Sequence, residues 1–299
     1  MITTKIVALG PIGATFSSDA YMELADIYGA PQMTDHWVEP LAVEKNDDVL
    51  PTMIDISGGT GNFIKQKTLG VLAMETLAGG HITEPIESFS KLLNLDRKPR
   101  LHVLCAIKKS LHFVLMAQKG ISLEHIQGIT AHPKALQACE RHVAKLGVHS
   151  AKATSNGEAA RSVAEMSGYQ KYAALGPVSA AEKYGLTILN PAFEDERAVT
   201  TFFLLSTRRE KPLVLEKNRV LLALRLIDQP GSLVRVLSRL SWLNMIHIHS
   251  VYAGGGAYDF IVELECRKDQ AEECSRTIEQ IRGYVAKMFA FGPFGVKET

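Results

Sequence analysis

Apolar and polar positions along this chain fall into short runs that switch between a two-residue and a helical period. Lys5–Leu9 (KIVAL) is apolar and closed by Gly10-Pro11, which predicts a first strand ending in a turn. Ser18–Tyr28 has helical spacing. Leu50–Ile56 is another apolar run, read as a strand, and it ends in Ser57-Gly58-Gly59-Thr60-Gly61 with a helix-like stretch continuing to Thr76. Strands are expected over Arg100–Ile107, Leu111–Ala117, Ile126–Thr130, Val148–Thr154, Tyr172–Leu175, Thr187–Leu189 and Thr200–Leu205. Helices are expected over Pro133–Leu146, Glu158–Met166 and Ser179–Tyr184, with Pro133 near a first helical position and Gly185 as a stop. Strands alternating with helices argue for parallel α/β sheets, whose ligands sit at the carboxyl ends of the strands.

The pattern changes at the charged stretch Thr207–Asn218 (TRREKPLVLEKN), which reads as a linker. Beyond it come a strand (Val220–Leu226), a turn at Asp228-Gln229-Pro230-Gly231, and an amphipathic helix (Ser232–Leu243) with Leu233, Val236, Leu237 and Leu240 on one face. Strands at Ile246–Val251 and Asp259–Glu265, a helix at Asp269–Arg282 and a strand at Val285–Phe291 complete a βαββαβ order, the ferredoxin-like arrangement.

Composition narrows the function classes. A chain of 299 residues with 46% hydrophobic and 22% charged positions suits about two ordinary globular domains. The net charge of +1 offers no basic field for nucleic acid. No apolar run reaches the length of a membrane span, and the N-terminus lacks the pattern of a signal peptide. Cys105, Cys139, Cys266 and Cys274 form no CxxC pair or metal-like spacing, so they read as reduced thiols and the protein as cytoplasmic.

Several loops could carry chemistry. A strand, SGGTGNF and a helix can present backbone N–H groups to an anion, yet the stretch matches neither G-x-G-x-x-G nor a Walker loop. His132 precedes Pro133 at a strand-to-helix boundary and either faces a cleft or merely ends a loop. Ser155 and Asn156 either cap the next helix or bind a carboxylate at its start. Thr200 and Thr201 open an apolar strand, where threonine is an ordinary β-former.

In their order along the chain these pieces resemble the prephenate dehydratase family. LGPIGATFSSDAY (Leu9–Tyr21) is similar to the family's LGPEGTFSHQAA, with one extra residue near Ala14. His112 falls where the family has a histidine, AHPKALQAC resembles SHPQALAQC, and SNGEAARSVAE resembles STAEAARLVAE. AALGPVSAAEKYGL resembles AAIASELAAELYGL, and FEDERAVTTFFLL resembles the segment ending in TRF. DQPGSLVRVLSRLSWLNM resembles an ACT domain.

The resemblance implies a two-lobed α/β substrate domain over 1–207, with lobe one at about 1–100 plus 185–207 and lobe two at about 101–184. A linker at 208–218 and an ACT domain at 219–299 follow. The chain would cross to the second lobe near Leu101–Ile107 and return near Ala173–Leu189. It also implies a lyase that removes carbon dioxide and the ring hydroxyl from prephenate or arogenate, without cofactor or metal, on the route to phenylalanine. Aligned without a gap, Thr201 takes the position of the hydroxyl-assisting threonine of TRF and Phe202 that of its carboxylate-holding arginine. Thr15, Ser17, Asp55, Ser57, His132, Ser155, Asn156 and Phe202 are the substrate-binding positions that follow. Phenylalanine cannot supply the bidentate fork of an arginine. The PIENS loop of the family is replaced by TMIDISGGTG, the serine before the His-Pro pair by Ala131, and the serine after the AAIA strand by Pro177. Two rival activities share this scaffold: a decarboxylase that spares the ring hydroxyl, and a regulatory protein that binds a small carboxylate without turnover. In the ACT domain Gly231, Leu233 and Ser250 persist from the effector-binding segments, so an amino-acid effector and a homodimer or homotetramer are implied.

Overall fold

The computed structural model describes residues 4–58, 67–76, 80–81, 83–96 and 99–298. The KIVAL run forms strand β1 (Thr4–Leu9), and helix α1 (Phe16–Tyr28) follows its turn. Thr15 starts that helix by accepting the Ser18 N–H on its hydroxyl, and Gly29 ends it in the left-handed conformation at φ 74°. Strand β2 (Val38–Val43), helix α2 (Val49–Gly58), strand β3 (Thr68–Thr76), the short β4 (Gly80–His81) and helix α3 (Thr83–Lys91) lead to β5 (His102–Leu111).

Two expectations are corrected here. The apolar run at Leu50–Ile56 belongs to helix α2 and not to a strand. Its buried residues Val49, Leu50 and Met53 are spaced for one helical face, and Pro51 sits in the first turn, where proline is tolerated. The stretch expected to be helical up to Thr76 contains β3 instead. Leu69, Val71, Leu72 and Met74 are all buried, so both faces of this strand are covered and its sequence lacks the alternation that marks a half-exposed one. The glycine-rich loop is described only through Gly58, and residues 59–66 lie outside the described residues.

Strand β6 (Val114–Ala117) opens the second lobe, followed by β7 (Gly128–Ala131), α4 (Pro133–Ala138), α5 (Glu140–Leu146), β8 (His149–Lys152), α6 (Asn156–Glu165), β9 (Tyr172–Gly176), α7 (Val178–Tyr184) and β10 (Thr187–Asn190). These strands make a five-stranded sheet in the order β10-β6-β9-β7-β8. The single helix expected over Pro133–Leu146 is broken at Cys139. Asp195 causes the break by accepting the N–H groups of Arg141 (2.6 Å) and His142 (3.1 Å), which caps α5 from another segment.

Strand β11 (Ala198–Ser206) returns to the first lobe and lies between β3 and β5, antiparallel to both. Because β5 also pairs there, the crossing falls at His112-Phe113 rather than near Leu101–Ile107, and β10 stays in the second lobe. The two crossings are tied together: Glu194 accepts the Phe113 N–H at 3.0 Å and meets His112 Nδ1 at 2.9 Å.

The C-terminal module runs β12 (Lys217–Leu226), α8 (Ser232–Leu240), β13 (Asn244–Gly254), β14 (Ala257–Arg267), α9 (Ala271–Ile281) and β15 (Val285–Glu298). Its strand order β13-β14-β12-β15 is that of a βαββαβ unit, with α8 and α9 covering the cluster built on Val236, Leu240, Cys274 and Ile278. The module is fused to the first lobe: β15 pairs in parallel with β5 at Val296 and Ala106, so one sheet runs through both. Phe203 and Phe294 stack edge to face at 4.9 Å, and Phe89 and Phe291 at 5.2 Å, within a shared core. The charged stretch before β12 is strapped down, with the Leu213 N–H donating to the Leu104 carbonyl at 2.8 Å. Among the described residues no helix is long and apolar enough to cross a membrane.

One contact sets how closely the lobes approach. A Cβ on Gly157, at the start of α6, would lie 2.6 Å from the Ala14 carbonyl and 2.8 Å from Pro11 Cδ of the other lobe. Nearby, Ser155 Oγ donates to the Gly10 carbonyl at 2.7 Å. Gly157→Ala is therefore expected to cost ~1–3 kcal/mol, because the neighbour is backbone and cannot rotate away. Chemical denaturation would measure it, and an unchanged midpoint would show that the lobes do not bear on each other there.

Candidate functional site

Between the lobes lies a cleft of about 910 Å³. Its first-lobe wall carries Leu9, Thr15–Ser17, Lys45–Asp47, Ala73, Thr200 and Phe202. The second-lobe wall carries His132–Ala135, Gln137, Ala138, Glu140, Arg141 and Ala153–Asn156. Leu111, Phe113, Asp195, Glu196 and Ala198 close the end where the chain crosses between lobes. The walls come from the ends of strands and the starts of helices, where an open α/β sheet offers its ligand site.

Six of the nine cleft positions singled out from sequence come together here: Thr15, Ser17, His132, Ser155, Asn156 and Phe202. Several have their polar atoms committed to the fold. Thr15 Oγ1 donates to the Leu9 carbonyl at 3.0 Å while capping α1. Ser155 Oγ accepts the Glu158 N–H at 3.0 Å while donating across the lobes. Asn156 Oδ1 accepts the His132 N–H at 3.0 Å, so the amide group joins the two second-lobe loops. His132 caps α4, accepting the Lys134 N–H on Nδ1 at 3.3 Å. Ser155 thus caps its helix, as one reading had it, and both Ser155 and Asn156 also line the cleft.

Three expectations are corrected. Asp55 and Ser57 lie on α2, outside the cleft lining; Asp55 is exposed and Ser57 Oγ donates to the Ile54 carbonyl at 2.8 Å. The reason is the helical rather than extended form of this segment. Thr201 does not line the cleft either, and Thr200 does. Side chains alternate across a strand, so Thr200 and Phe202 share one face of β11 while Thr201 takes the other. The adjacent threonine pair hid that choice, because either residue could begin the inward face.

On the opposite face Thr201 Oγ1 donates to Glu75 Oε2 at 3.4 Å, at the edge of a buried charge cluster. Arg219 of β12 lies 2.6 Å from Glu263 of β14 and 3.4 Å from Glu75 of β3. His247 of β13 lies 3.2 Å from Glu75. The side chains of Arg219 and Glu263 are only 5% and 4% exposed. Burial pushes the Glu263 carboxyl above its ordinary value, against the pull of Arg219. The strand that presents Thr200 and Phe202 to the cleft is therefore backed by charges drawn from the C-terminal module.

Sequence reasoning missed the aromatic wall and most of the cleft's charges. Phe16 and Phe113 stack edge to face at 4.9 Å beside Phe202, which is 1% exposed. Asn46 holds the Lys45–Asp47 loop against β3 by exchanging hydrogen bonds with Ala73, at 2.8 and 3.1 Å. Arg141 is paired with Glu196 at 3.3 Å and Asp195 at 3.8 Å. Lys134 lies inside AHPKALQAC, where the similar family segment has glutamine, and that difference was a readable signal. The four cysteines are free and buried. Burial pushes the thiols of Cys105 and Cys139 up to about 12, which rules both out as nucleophiles at neutral pH. Among the described residues no group of His, Cys, Asp and Glu could hold a metal ion. Gly231, Leu233 and Ser250 lie on the C-terminal module and not in the cleft: Gly231 caps α8 at φ 81°, Leu233 is half-buried in that helix, and Ser250 is exposed on β13.

Residues 6–210 match the sequence profile of the family described as prephenate dehydratase. Arogenate dehydratase/prephenate dehydratase 2 of Arabidopsis thaliana is 25% identical over 77% of this chain and 61% of its own length. Across the plant arogenate dehydratases that it matches, the chain spans between 33% and 61% of their length. The structure of prephenate dehydratase from Arthrobacter aurescens in complex with L-Phe superimposes with a TM-score of 0.75 at 19% identity, covering 96% of this chain and 89% of that one. A structure titled as a novel type of quorum quenching acylase, GqqA, superimposes at 0.72 with 21% identity, covering 97% and 98%. These likenesses show the fold, and two proteins that share it are named for different activities.

Proposed function

The chain belongs to the prephenate dehydratase family, and on that premise we propose that it is a lyase converting prephenate, or its amino counterpart arogenate, to phenylpyruvate or phenylalanine by decarboxylative dehydration. The observation that carries the reading is Thr200, a hydroxyl on the cleft face of β11 one residue before Thr201. Shifting the comparison by one residue aligns Thr200-Thr201-Phe202 with TRF, so the donor is Thr200 and the arginine position is Thr201.

The chemistry asks little of the protein beyond positioning. The bond from the ring to the departing carboxylate breaks, its electron pair enters the ring, and the hydroxyl on the far side leaves as water after receiving a proton. Aromaticity drives both departures. Thr200 hydrogen-bonds the leaving oxygen, and the proton comes from that hydroxyl or from a water it orients. Phe16, Phe113 and Phe202 form an apolar surface for the ring and for the carboxylate that becomes neutral carbon dioxide. Gripping that carboxylate with a cation would stabilise it most before it departs, so an apolar neighbour suits it better.

The C-terminal βαββαβ module reads as an ACT regulatory domain binding an amino acid near Gly231, Leu233 and Ser250, in an assembly of two or four chains. Support for a regulatory route comes from the Arg219–Glu75–Thr201 contacts, which join the module to the back of the cleft strand. Incubating the pure protein with prephenate is expected to give phenylpyruvate absorbance, with loss of both carbon dioxide and water by mass. A flat trace at high enzyme, or a product keeping its hydroxyl, would overturn the dehydratase reading.

A further inference from the structure

We infer that Lys134 is the cation that holds the substrate's retained carboxylate, the one on the three-carbon side chain, and so sets the cleft's preference for carboxylated ligands. This inference rests on the dehydratase reading for the identity of the ligand and on geometry for the site.

Among the described residues the lining contains three side chains with a permanent positive charge, namely Lys45, Lys134 and Arg141. Arg141 is already neutralised by Glu196 and Asp195. Lys45 is exposed, so water screens its field. Lys134 differs from both. It is half-buried, and among the described residues it makes no ion pair. Its backbone is fixed by the bond from its N–H to His132 Nδ1, and His132 is in turn fixed by Asn156. A half-buried lysine on an ordered backbone, lining the cleft with no ion-pair partner among the described residues, leaves its charge for an anionic ligand.

Family resemblance sharpens the point. The similar segment SHPQALAQC has glutamine where this chain has Lys134, so this chain brings to the second-lobe wall a positive charge that the similar segment lacks. Phe202 shares the cleft face of β11 with Thr200, so the ring and leaving group belong on that side. A side-chain carboxylate extending from the ring towards the second lobe then meets Lys134.

The test uses prephenate kinetics together with phenylpyruvate inhibition. Phenylpyruvate carries only the retained carboxylate, so it reports on that contact alone. Lys134→Gln is expected to raise KM for prephenate ~10–100-fold with kcat within a few-fold. It should weaken phenylpyruvate inhibition by the same factor. Lys134→Arg should restore most of both, and Lys119→Gln, at an exposed position outside the cleft lining, should change neither by more than a few-fold. Unchanged phenylpyruvate affinity in Lys134→Gln would overturn the inference even with normal turnover in the parent. Lys134-dependent phenylpyruvate binding in a parent that does not turn prephenate over, read by calorimetry, would uphold the inference and sink the dehydratase reading. A parent that binds neither compound would overturn both.

Discussion

Turnover of prephenate by the Thr200→Val variant is expected to fall about 10²–10⁴-fold, while the neighbouring Thr201→Val variant stays within a few-fold of the parent. Valine matches threonine in shape, so the substitution removes the hydroxyl and leaves the strand in place. Thr200 and Phe202 face the cleft, and Thr201 faces Glu75 on the other side of the sheet. Loss of the Thr201 hydroxyl takes one weak contact from a carboxylate that still has Arg219 and His247 beside it. Steady-state rates of the two variants, with their melting temperatures as a check on folding, decide the matter. Equal losses, or the larger loss in Thr201→Val, would place the donor on the wrong face and remove the main support for the proposed chemistry.

Arg219→Met is expected to cost about 3–5 kcal/mol of stability, more than any other single change considered. Arg219 is the central cation between Glu263 at 2.6 Å and Glu75 at 3.4 Å. Removing it leaves two carboxylates in an interior where burial already pushes Glu263 upward. Replacing Arg219 and Glu263 together by methionine should cost much less, because the stranded charge goes with its partner. Denaturant unfolding of both variants measures the difference. A single-variant loss below about 1 kcal/mol would mean that water reaches the cluster and that its charges are not truly buried. The cluster joins β3, β12, β13 and β14, so the same variant should also loosen the module from the first lobe.

Much of the scaffold was legible because local signals agreed with one another. Ser155 before α6 and the glycine that stops α7 are short-range devices, readable wherever a helix begins or ends. The βαββαβ order of the C-terminal module followed from alternation and turns alone. The errors fall where a segment is buried on both sides. β3 is covered on both faces, and α2 packs its apolar stripe beneath it, so the run of apolar letters no longer reveals its period. The break at Cys139 was not legible because its cause, Asp195, lies more than fifty positions away.

Sequence by itself determined which loops meet at a cleft: the order of motifs from Leu9 to Leu205 fixed the family and brought Thr15, Ser17, His132, Ser155 and Asn156 to one place. Tertiary structure alone decided which threonine of the Thr200-Thr201 pair enters that cleft. A strand's period of two leaves its facing open until its partners are known, and here β3 and β5 on either side of β11 settle it. Tertiary structure also decided which cations remain uncommitted. Arg141 is paired by residues from another segment and, among the described residues, Lys134 is not, a difference that no spacing along the chain could carry.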